Sequence, residues 1–300
     1  MTYEPSPRID ATLVQRLIAE QFPQWSNLPV RPVERSGWDN RTFRLGEKLL
    51  ARLPSQAGYA AKIPLEQHWL PRLAPMLPRS IPEPVALGEP SAAYPWPWSI
   101  RHWIDGVDAA STPISDMPTL ARDLALFLRA LQSIDASGGP VPGVHNFQRG
   151  GPLAYYDGET RAALAALRGR IDTAAATRLW DDALAARWTA EAVWLHGDVA
   201  AANLLLRDGA LCAVIDFGGM AVGDPACDLV VAWTLFDPGS RQVFRDTLGP
   251  DDSMWLRGRG WALWKALIVL AAGDASDPRQ IATSRRVLDS VFAVSAGAMR

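Results

Sequence analysis

The sequence is poor in cysteine and in lysine. Only two cysteines occur among 300 residues, Cys212 and Cys227, and both lie in apolar stretches. Two thiols cannot build a disulfide scaffold, so we expect a reducing, cytoplasmic compartment. Of the 30 basic residues only three are lysines, at positions 48, 62 and 265, so any lysine-dependent chemistry has few candidates.

An excess of charge of one sign is also missing. The chain has 30 basic and 32 acidic residues, which gives a net charge of −2. A protein that grips nucleic acid through its phosphates normally carries a basic excess, so we expect no nucleic-acid partner. The longest apolar stretch, residues 261–273, contains Lys265 and is shorter than the ~20 residues that cross a bilayer. With no signal-peptide pattern at the N-terminus, we expect no membrane partner.

Several motifs of common enzyme classes do not occur. The sequence has no G-x-x-x-x-G-K-[ST], which removes the P-loop kinases, and no G-x-S-x-G, which removes the nucleophile elbow of the α/β-hydrolases. Its four histidines are scattered without zinc-ligand spacing. The chemistry must therefore be sought in another constellation.

Hydrophobic residues make up 48% of the sequence, which is enough for a sizeable core. Residues 31–54 read as short strands with a turn at Gly46-Glu47, and a helix is predicted at 62–74. After Gly106 the pattern is mostly helical, interrupted by a β-hairpin with its turn at Asp208-Gly209. We predict an α+β fold with a small β-rich N-terminal domain, 1–105, a connector at about 96–105, and a larger, mainly helical domain, 106–300.

Residues 195–219 hold the most informative motif. His196 and Asp198 are followed by Asn203, five positions after the aspartate, and then by Asp216 in a D-F-G triplet. Phosphoryl transfer from a nucleotide needs a carboxylate to accept the proton of the attacking hydroxyl. It also needs a second carboxylate and an amide oxygen to hold Mg²⁺ against the phosphates. The alternative is that these side chains only cap a loop, but carboxylates at apolar strand ends are costly without a cation.

On these residues the chain resembles the aminoglycoside phosphotransferase family, whose fold is similar to that of the protein kinases. The resemblance implies a small N-terminal lobe over a helical C-terminal lobe, with ATP or GTP as co-substrate bound between them. It makes Asp198 the catalytic base, and Asn203 and Asp216 the Mg²⁺ ligands. Asn203 and Phe217 favour the aminoglycoside branch over the related macrolide kinases.

The N-terminal lobe departs from the kinase pattern. The loop at residues 36–46 has one glycine before the strand, and Arg52 stands where a kinase has its phosphate-binding lysine. The resemblance implies that Arg52 holds nucleotide phosphates and pairs with Glu66; an exposed Glu66 and a role for Lys48 are the alternatives. Its connector falls at Ser99, Ile100 and Arg101, whose backbone is expected to bind the nucleotide base.

The predicted function is therefore transfer of the γ-phosphate of ATP or GTP to a hydroxyl of a small molecule, an aminoglycoside-type antibiotic, by a monomer or homodimer. Alternatives are a kinase of a metabolite such as choline, homoserine or a sugar, a nucleotide-binding pseudoenzyme, and a metal-dependent phosphohydrolase. Six aspartates within residues 224–252 suggest an acidic surface for a cationic acceptor. Capping of helices is the alternative explanation of these aspartates.

Overall fold

The computed structural model describes residues 8–33, 39–273 and 277–297. Of the predicted loop at residues 36–46, residues 36–38, with its one glycine before the strand, lie outside the described residues. The chain divides into two compact units. Unit one is Met1–Gly106 together with Ala213–Gly218, and unit two is Val107–Cys212 together with Gly219–Arg300. The short segment from the D-F-G region therefore belongs with the N-terminal third of the chain, where the Val214 N–H donates to the Ser80 carbonyl.

Unit one contains an antiparallel sheet of five strands in its described residues, in the order β1-β2-β3-β5-β4. Its elements are α1 (Ala11–Gln21), β1 (Val30–Pro32), β2 (Asn40–Leu45), β3 (Leu49–Pro54), α2 (Ala57–Ala60), α3 (Lys62–Leu73), β4 (Pro84–Gly88) and β5 (Trp98–His102). The predicted strands and the turn at Gly46-Glu47 are confirmed, since Leu45 and Leu49 pair across that turn.

The two faces of this sheet differ in chemistry. Successive side chains of a strand point to opposite faces, so the register of β3 and β5 sorts their residues. Ala51 lies opposite Ile100, and this face packs its apolar side chains with those of α1 into one core. Arg52 lies opposite Ser99, and Leu50 opposite Arg101, so both arginines share the other face. A pair of guanidinium groups is therefore set side by side on one surface of the sheet.

Helix α3 buries a face that includes a charged residue. The sequence places Leu65, Trp69, Leu70 and Leu73 on the buried face, but Leu65 and Trp69 are only half-buried. The fully buried positions are Lys62, Ile63, Glu66, Leu70 and Leu73. A spacing of three and four residues keeps these positions on one side of a helix. The helix predicted at 62–74 is confirmed, with Glu66 turned into unit one.

Unit two is mainly helical, with short strand pairs. Its elements are β6 (Val107–Asp108), α4 (Met117–Gln132), α5 (Asp157–Ala166), α6 (Thr173–Ala185), β7 (Val193–Leu195), β8 (Leu204–Arg207), β9 (Ala210–Val214), β10 (Ala221–Gly223), α7 (Val231–Thr234), α8 (Pro238–Leu248), α9 (Asp252–Ala272) and α10 (Pro278–Gly297). The last two residues of β9 belong to unit one. β7 pairs with β10 and β6 with β8. At the predicted hairpin, Asp208 and Gly209 have φ of 52° and 80°, as a tight two-residue turn requires.

Helix α9 forms the centre of unit two. It packs against α5, α6 and α10, and buried residues lie on all its sides, as expected of a helix that is apolar all round. Within the described residues no helix is long and apolar enough to cross a membrane. The predicted α+β class, with a β-rich N-terminal part and a larger helical part, is confirmed.

Candidate active site

Three buried side chains of unit one form an ion cluster, which we call the buried ion cluster: Arg52, Glu66 and Arg101. Arg52 Nη1 donates to both carboxylate oxygens of Glu66, at 2.8 and 2.9 Å. Arg101 Nη2 donates to Glu66 Oε2 at 2.6 Å, and its Nε donates to Ser99 Oγ at 3.0 Å. The Glu66 side chain is only 1% exposed, so two guanidinium groups share one carboxylate away from water.

The pKa of each group follows from burial and from its partners. Burial alone would raise the pKa of Glu66, but the positive charges and hydrogen bonds of Arg101 and Arg52 hold it at about 2. Burial also acts to lower the pKa of Arg52, yet the nearby carboxylates, Glu66 first, raise it above its ordinary value. For Arg101 the effect of burial is larger than the attraction of Glu66, so the pKa of Arg101 is lowered. Glu66 is therefore a carboxylate at any physiological pH.

Arg52 also reaches the D-F-G segment within unit one. Its Nη2 donates to Asp216 Oδ1 at 2.8 Å and lies 3.9 Å from Asp39 Oδ2. Asp39 in turn lies 3.7 Å from Lys62 Nζ. Sequence reasoning missed Asp39 and Lys62. The signal for Lys62 was its place four residues before Glu66, which puts both side chains on one face of α3.

The backbone at Asp216 turns sharply. Its φ is 65°, in the left-handed region, where aspartate is one of the few non-glycine residues tolerated. The side chain is 35% exposed, and one of its oxygens accepts from Arg52. A partly exposed carboxylate on such a turn fits the oxygen ligand that Mg²⁺ prefers.

In unit two, the loop after β7 carries His196, Gly197 and Asp198, and buried Asp228 holds it. The two Asp228 oxygens accept from the backbone N–H groups of His196 and Gly197, at 2.8 and 2.7 Å. Burial raises the pKa of Asp228, and the neighbouring His196 side chain and the two N–H donors oppose this only in part. Asp228 therefore braces this loop through its backbone.

The glycine between His196 and Asp198 is required by space. Gly197 has φ of 84°, and a Cβ added to it would lie 2.2 Å from the carbonyl oxygen of Gly219. His196 is fully buried, and its Nδ1 accepts from the Asp198 N–H at 3.2 Å. The H-G-D triplet thus fixes a tight loop that presents Asp198.

The structure brings Asp198 and Asn203 together. Asn203 Nδ2 donates to the Asp198 carbonyl at 2.9 Å and lies 3.5 Å from Asp198 Oδ2. This contact commits the amide nitrogen and leaves the amide oxygen of Asn203 as the end suited to a cation. The Asp198 side chain is 47% exposed, and Lys265 Nζ lies 3.6 Å from its Oδ1. Lys265 reaches Asp198 from α9, a long-range contact that no local pattern indicates.

A second group that sequence reasoning missed is Arg149. Its guanidinium carbon lies 5.9, 5.2 and 5.1 Å from the ring centroids of Tyr156, Trp261 and Trp264. Its Nη1 also donates to the Tyr156 hydroxyl at 3.3 Å. These distances are within the range of cation–π attraction, so the rings hold the cation in place.

Ser99, Ile100 and Arg101 lie in the middle of β5. Each pairs with a residue of β3, and the strand also pairs with β4, so the sheet engages their backbone on both sides. The structure therefore does not place them in a connector with free backbone groups. Ser99 and Arg101 join the buried ion cluster through their side chains. Lys48, the alternative to Arg52, is exposed in the turn between β2 and β3.

Comparisons with known proteins support the predicted fold. No curated protein sequence matches the chain. Among solved structures, the GDP complex of wild-type aminoglycoside 2′-phosphotransferase-IIIa is similar at 19% identity over 96% of this chain and 100% of the other, with a TM-score of 0.69. The apoenzyme of macrolide 2′-phosphotransferase MphH from Brachybacterium faecium is similar at 22% identity over 91% and 97%, with a TM-score of 0.61. The predicted kinase-like fold is confirmed.

The sequence itself places the chain in a family. The profile of the phosphotransferase enzyme family matches residues 30–266, which is well over half of the chain and includes Arg52, Asp198 and Asp216. The predictions of the family and of a phosphotransferase are confirmed: the chain belongs to the phosphotransferase enzyme family.

Proposed function

We propose that this phosphotransferase moves the γ-phosphoryl group of ATP or GTP, with Mg²⁺, to a hydroxyl of a small molecule. The observation that carries the proposal is the half-exposed Asp198 carboxylate, set on a loop braced by Asp228 and in contact with Asn203. The matched structures support a nucleotide co-substrate, since one is a GDP complex and another an ADP complex. A cytoplasmic location and a monomeric or homodimeric state stay predictions.

In this proposal Asp198 is the catalytic base. A carboxylate in this position orients the acceptor hydroxyl and accepts its proton as the oxygen attacks phosphorus. The contact of Lys265 with Oδ1 and of Asn203 with Oδ2 fixes the carboxylate from both sides. The loop therefore presents a proton acceptor whose position is set before the acceptor arrives.

Asp216 and Asn203 are the proposed Mg²⁺ ligands, each argued from its own unit. Asp216 offers a partly exposed carboxylate, and Asn203 offers an amide oxygen, because its nitrogen is held by the Asp198 carbonyl. Both are oxygen donors of the kind that hard divalent cations take. When bound, Mg²⁺ would neutralise charge on the nucleotide phosphates.

Arg52 is the proposed phosphate-binding cation, and the structure suggests how it is held. Glu66 braces Arg52, and Arg101 holds Glu66 independently of it. Glu66 can therefore keep its place when Arg52 engages a phosphate. We propose bracing roles for Ser99 and Arg101, in place of contacts to the nucleotide base.

For the acceptor, two candidates remain. An aminoglycoside-type antibiotic is supported by the similar structure solved as a GDP and kanamycin complex, at 19% identity over 93% of this chain and 98% of the other, with a TM-score of 0.69. The alternative, a hydroxylated metabolite, is favoured by the two cations near Asp198, namely Arg149 and Lys265.

A nucleotide-consumption assay tests the proposal. Purified protein is given Mg²⁺ and ATP or GTP, with a panel of aminoglycosides, macrolides and small hydroxylated metabolites. Asp198→Asn should bind nucleotide as the wild type does but lose ~10²–10⁴ in turnover, the usual effect of losing a positioned proton acceptor. Asp216→Asn should abolish Mg²⁺-dependent nucleotide binding in calorimetry, because the carboxylate ligand loses its charge.

The matched control is Asp246→Asn, an exposed aspartate of α8 that contacts only Gln242 in the described structure. It should leave turnover and nucleotide binding unchanged. Turnover of Asp198→Asn near the wild-type value would remove Asp198 as the base. Nucleotide binding without phosphoryl transfer to any member of the panel would favour the pseudoenzyme alternative.

A further inference from the structure

The surroundings of Asp198 within unit two are cationic. A small pocket there is lined by Arg149, Asp198 and Lys265, together with apolar side chains that include Val199 and Trp264. Its charged lining is thus two cations and one carboxylate. Two further carboxylates lie nearby: Asp228 lies beneath the loop, with both oxygens bound to backbone N–H groups, and Glu159 accepts from the Trp264 indole N–H. We call this the acceptor pocket.

Arg149 in the acceptor pocket is held without a carboxylate. In the described part of the chain its contacts are the rings of Tyr156, Trp261 and Trp264 and the Tyr156 hydroxyl. Trp264 is fixed in turn, because its indole N–H donates to Glu159 at 2.8 Å. A guanidinium fixed in this way keeps donors for a further acceptor group, since ring faces take none of its N–H groups in the plane. The arrangement is preorganised for a planar or tetrahedral anion.

The acidic residues that suggested a cationic acceptor all have structural partners in unit two. Asp237 and Asp251 cap the N-termini of α8 and α9 through Ser240 and Met254. Asp224 caps the turn that begins at Pro225, and its two carboxylate oxygens accept from Nε and Nη2 of Arg257. The remaining three are held as follows: Asp228 by backbone N–H groups, Asp246 by Gln242 and Asp252 by Arg245. Capping and pairing therefore account for all six.

We propose that Arg149 and Lys265 form an anion-binding subsite for the acceptor. The acceptor is then a small hydroxylated molecule that carries a carboxylate, phosphate or sulfate group, and not a polycation. The inference rests on the proposed function, which makes Asp198 the base. Arg149 supplies a fixed fork for the anion, and Lys265, which is 45% exposed, supplies a half-exposed cation next to Asp198. A polycation would meet two like charges at the same place.

The first experiment measures anion binding without turnover. The melting temperature is recorded in sodium sulfate and in sodium chloride of equal ionic strength, with saturating Mg²⁺ and a non-hydrolysable ATP analogue. Sulfate stabilises most proteins by exclusion from their surface, so the comparison is between variants. Wild type should gain more from sulfate than Lys265→Gln and Arg149→Gln do. The control, Arg178→Gln, removes an exposed arginine of α6 and should gain as the wild type does.

If sulfate raises the melting temperature of wild type and of Lys265→Gln equally, the proposal is overturned. Because Lys265 is half-exposed, this variant gives the decisive comparison even where Arg149→Gln fails to fold. The nucleotide analogue distinguishes two anions that the cations could bind, the γ-phosphate of the nucleotide and an anionic group of the acceptor. A sulfate effect that appears only without the analogue assigns these cations to the γ-phosphate of the nucleotide, which also overturns the proposal. An effect that persists with the analogue supports an acceptor subsite.

The second experiment uses matched acceptors that differ in charge: glucuronate, glucose, glucosamine and kanamycin. We expect the highest kcat/KM for the anion glucuronate, a lower value for neutral glucose, and the lowest values for the cations glucosamine and kanamycin. Lys265→Gln also removes a contact of Asp198, which affects all acceptors alike, so the test is a ratio: kcat/KM for glucuronate should fall about tenfold more than kcat/KM for glucose, the size of one charge-assisted contact. A preference for glucosamine or kanamycin contradicts the inference but leaves the proposed function standing. Where no acceptor is used although sulfate binds, the proposed function fails and the anion subsite does not.

Discussion

The buried ion cluster and the Asp198 loop hold their carboxylates in opposite ways. In unit one, Glu66 is 1% exposed and is paired with two guanidinium groups. In unit two, Asp198 is 47% exposed and its nearest cation is the equally exposed Lys265. A buried carboxylate must keep its partners, since an unpaired buried charge is costly, whereas a half-exposed one is solvated and free to react. The buried Glu66 is suited to holding the Arg52 cation, and the half-exposed Asp198 is suited to the role of proton acceptor that we propose for it.

The two regions also differ in what fixes them. Side chains from β3, β5 and α3 hold each other in the buried ion cluster. The Asp198 loop is held through its backbone, because Asp228 accepts from the N–H groups of His196 and Gly197. Charge removal in the first region should therefore cost stability as well as activity. In the second region, removal of Asp198 should cost turnover with little effect on stability.

The largest expected effect in the first region is that of Arg52→Ala. It removes the proposed phosphate-binding cation and leaves Glu66 with one partner, so nucleotide KM should rise by ~10² or more, the size of two lost charge-assisted contacts. The free energy of unfolding should also fall, by about 3–5 kcal/mol, as for a broken buried ion pair. Steady-state kinetics and urea unfolding measure the two quantities.

Lys48→Ala is the matched control for Arg52→Ala. Lys48 is an exposed cation only four residues earlier in the chain, in the turn before β3. Its loss should change neither nucleotide KM nor stability by a measurable amount, as is usual for exposed surface positions. The reverse order of the two variants would refute the assignment of Arg52.

Arg101→Ala should separate bracing from phosphate binding. Glu66 loses one of two guanidinium partners, so we expect a loss of about 3 kcal/mol in the free energy of unfolding. Arg52 remains, so nucleotide KM should rise far less than in Arg52→Ala. Urea unfolding and nucleotide kinetics of the two variants, measured side by side, test this. Equal effects of both variants on KM would make Arg101 a direct ligand of the nucleotide.

The sequence predicted the strand arrangement well, for physical reasons, while the chemical roles of the motif at residues 195–219 stay predictions. Alternation and the Asp208-Gly209 turn depend on local geometry, which a sequence displays directly. The pairing of Arg52 with Glu66 was inferred from the family's pattern, and the two side chains are in contact. Arg101 could have been found from strand alternation, because alternation in β5 puts its side chain on the same face as Ser99 and on the opposite face from Trp98 and Ile100.

The missed residues are those whose roles come from long-range contacts. Lys265 reaches Asp198 from a helix that follows it by more than 50 residues, and Arg149 is held by rings from two other helical segments. No local period signals such contacts. The aspartates of 224–252 show the opposite error: a count of charges cannot tell a capping carboxylate from one that faces a ligand.

In the second region, Asp228→Asn tests whether the backbone brace acts on catalysis. One carboxylate oxygen becomes an amide N–H₂, which faces a backbone N–H that has then lost its acceptor. We expect stability to fall by about 2 kcal/mol, the cost of one buried unsatisfied donor, and kcat to fall about tenfold as Asp198 loses its fixed position. KM for nucleotide should stay unchanged, which kinetics can show. Asp237→Asn is the control, because asparagine caps α8 as well as aspartate does. A kcat of Asp228→Asn equal to that of the control contradicts the brace.

The smallest expected effect concerns acid, and it isolates the pairing of Glu66. The pKa of Glu66 is lowered from an ordinary 4.5 to about 2, so its pairing stabilises the fold fully above the ordinary value. As the pH falls below that value, the unfolded chain takes up the proton first, and the stabilisation is lost towards pH 2. Between pH 5.5 and 3.5 this one group should lower the free energy of unfolding by about 1 kcal/mol. Glu66→Gln is less stable at every pH but lacks this contribution, so its stability should fall less steeply over the same interval in urea titrations. If the free energy of unfolding fell equally steeply with pH in both proteins, the Glu66 carboxylate would not be held by Arg52 and Arg101. The contrast between a paired buried carboxylate and a half-exposed one would then be wrong for unit one.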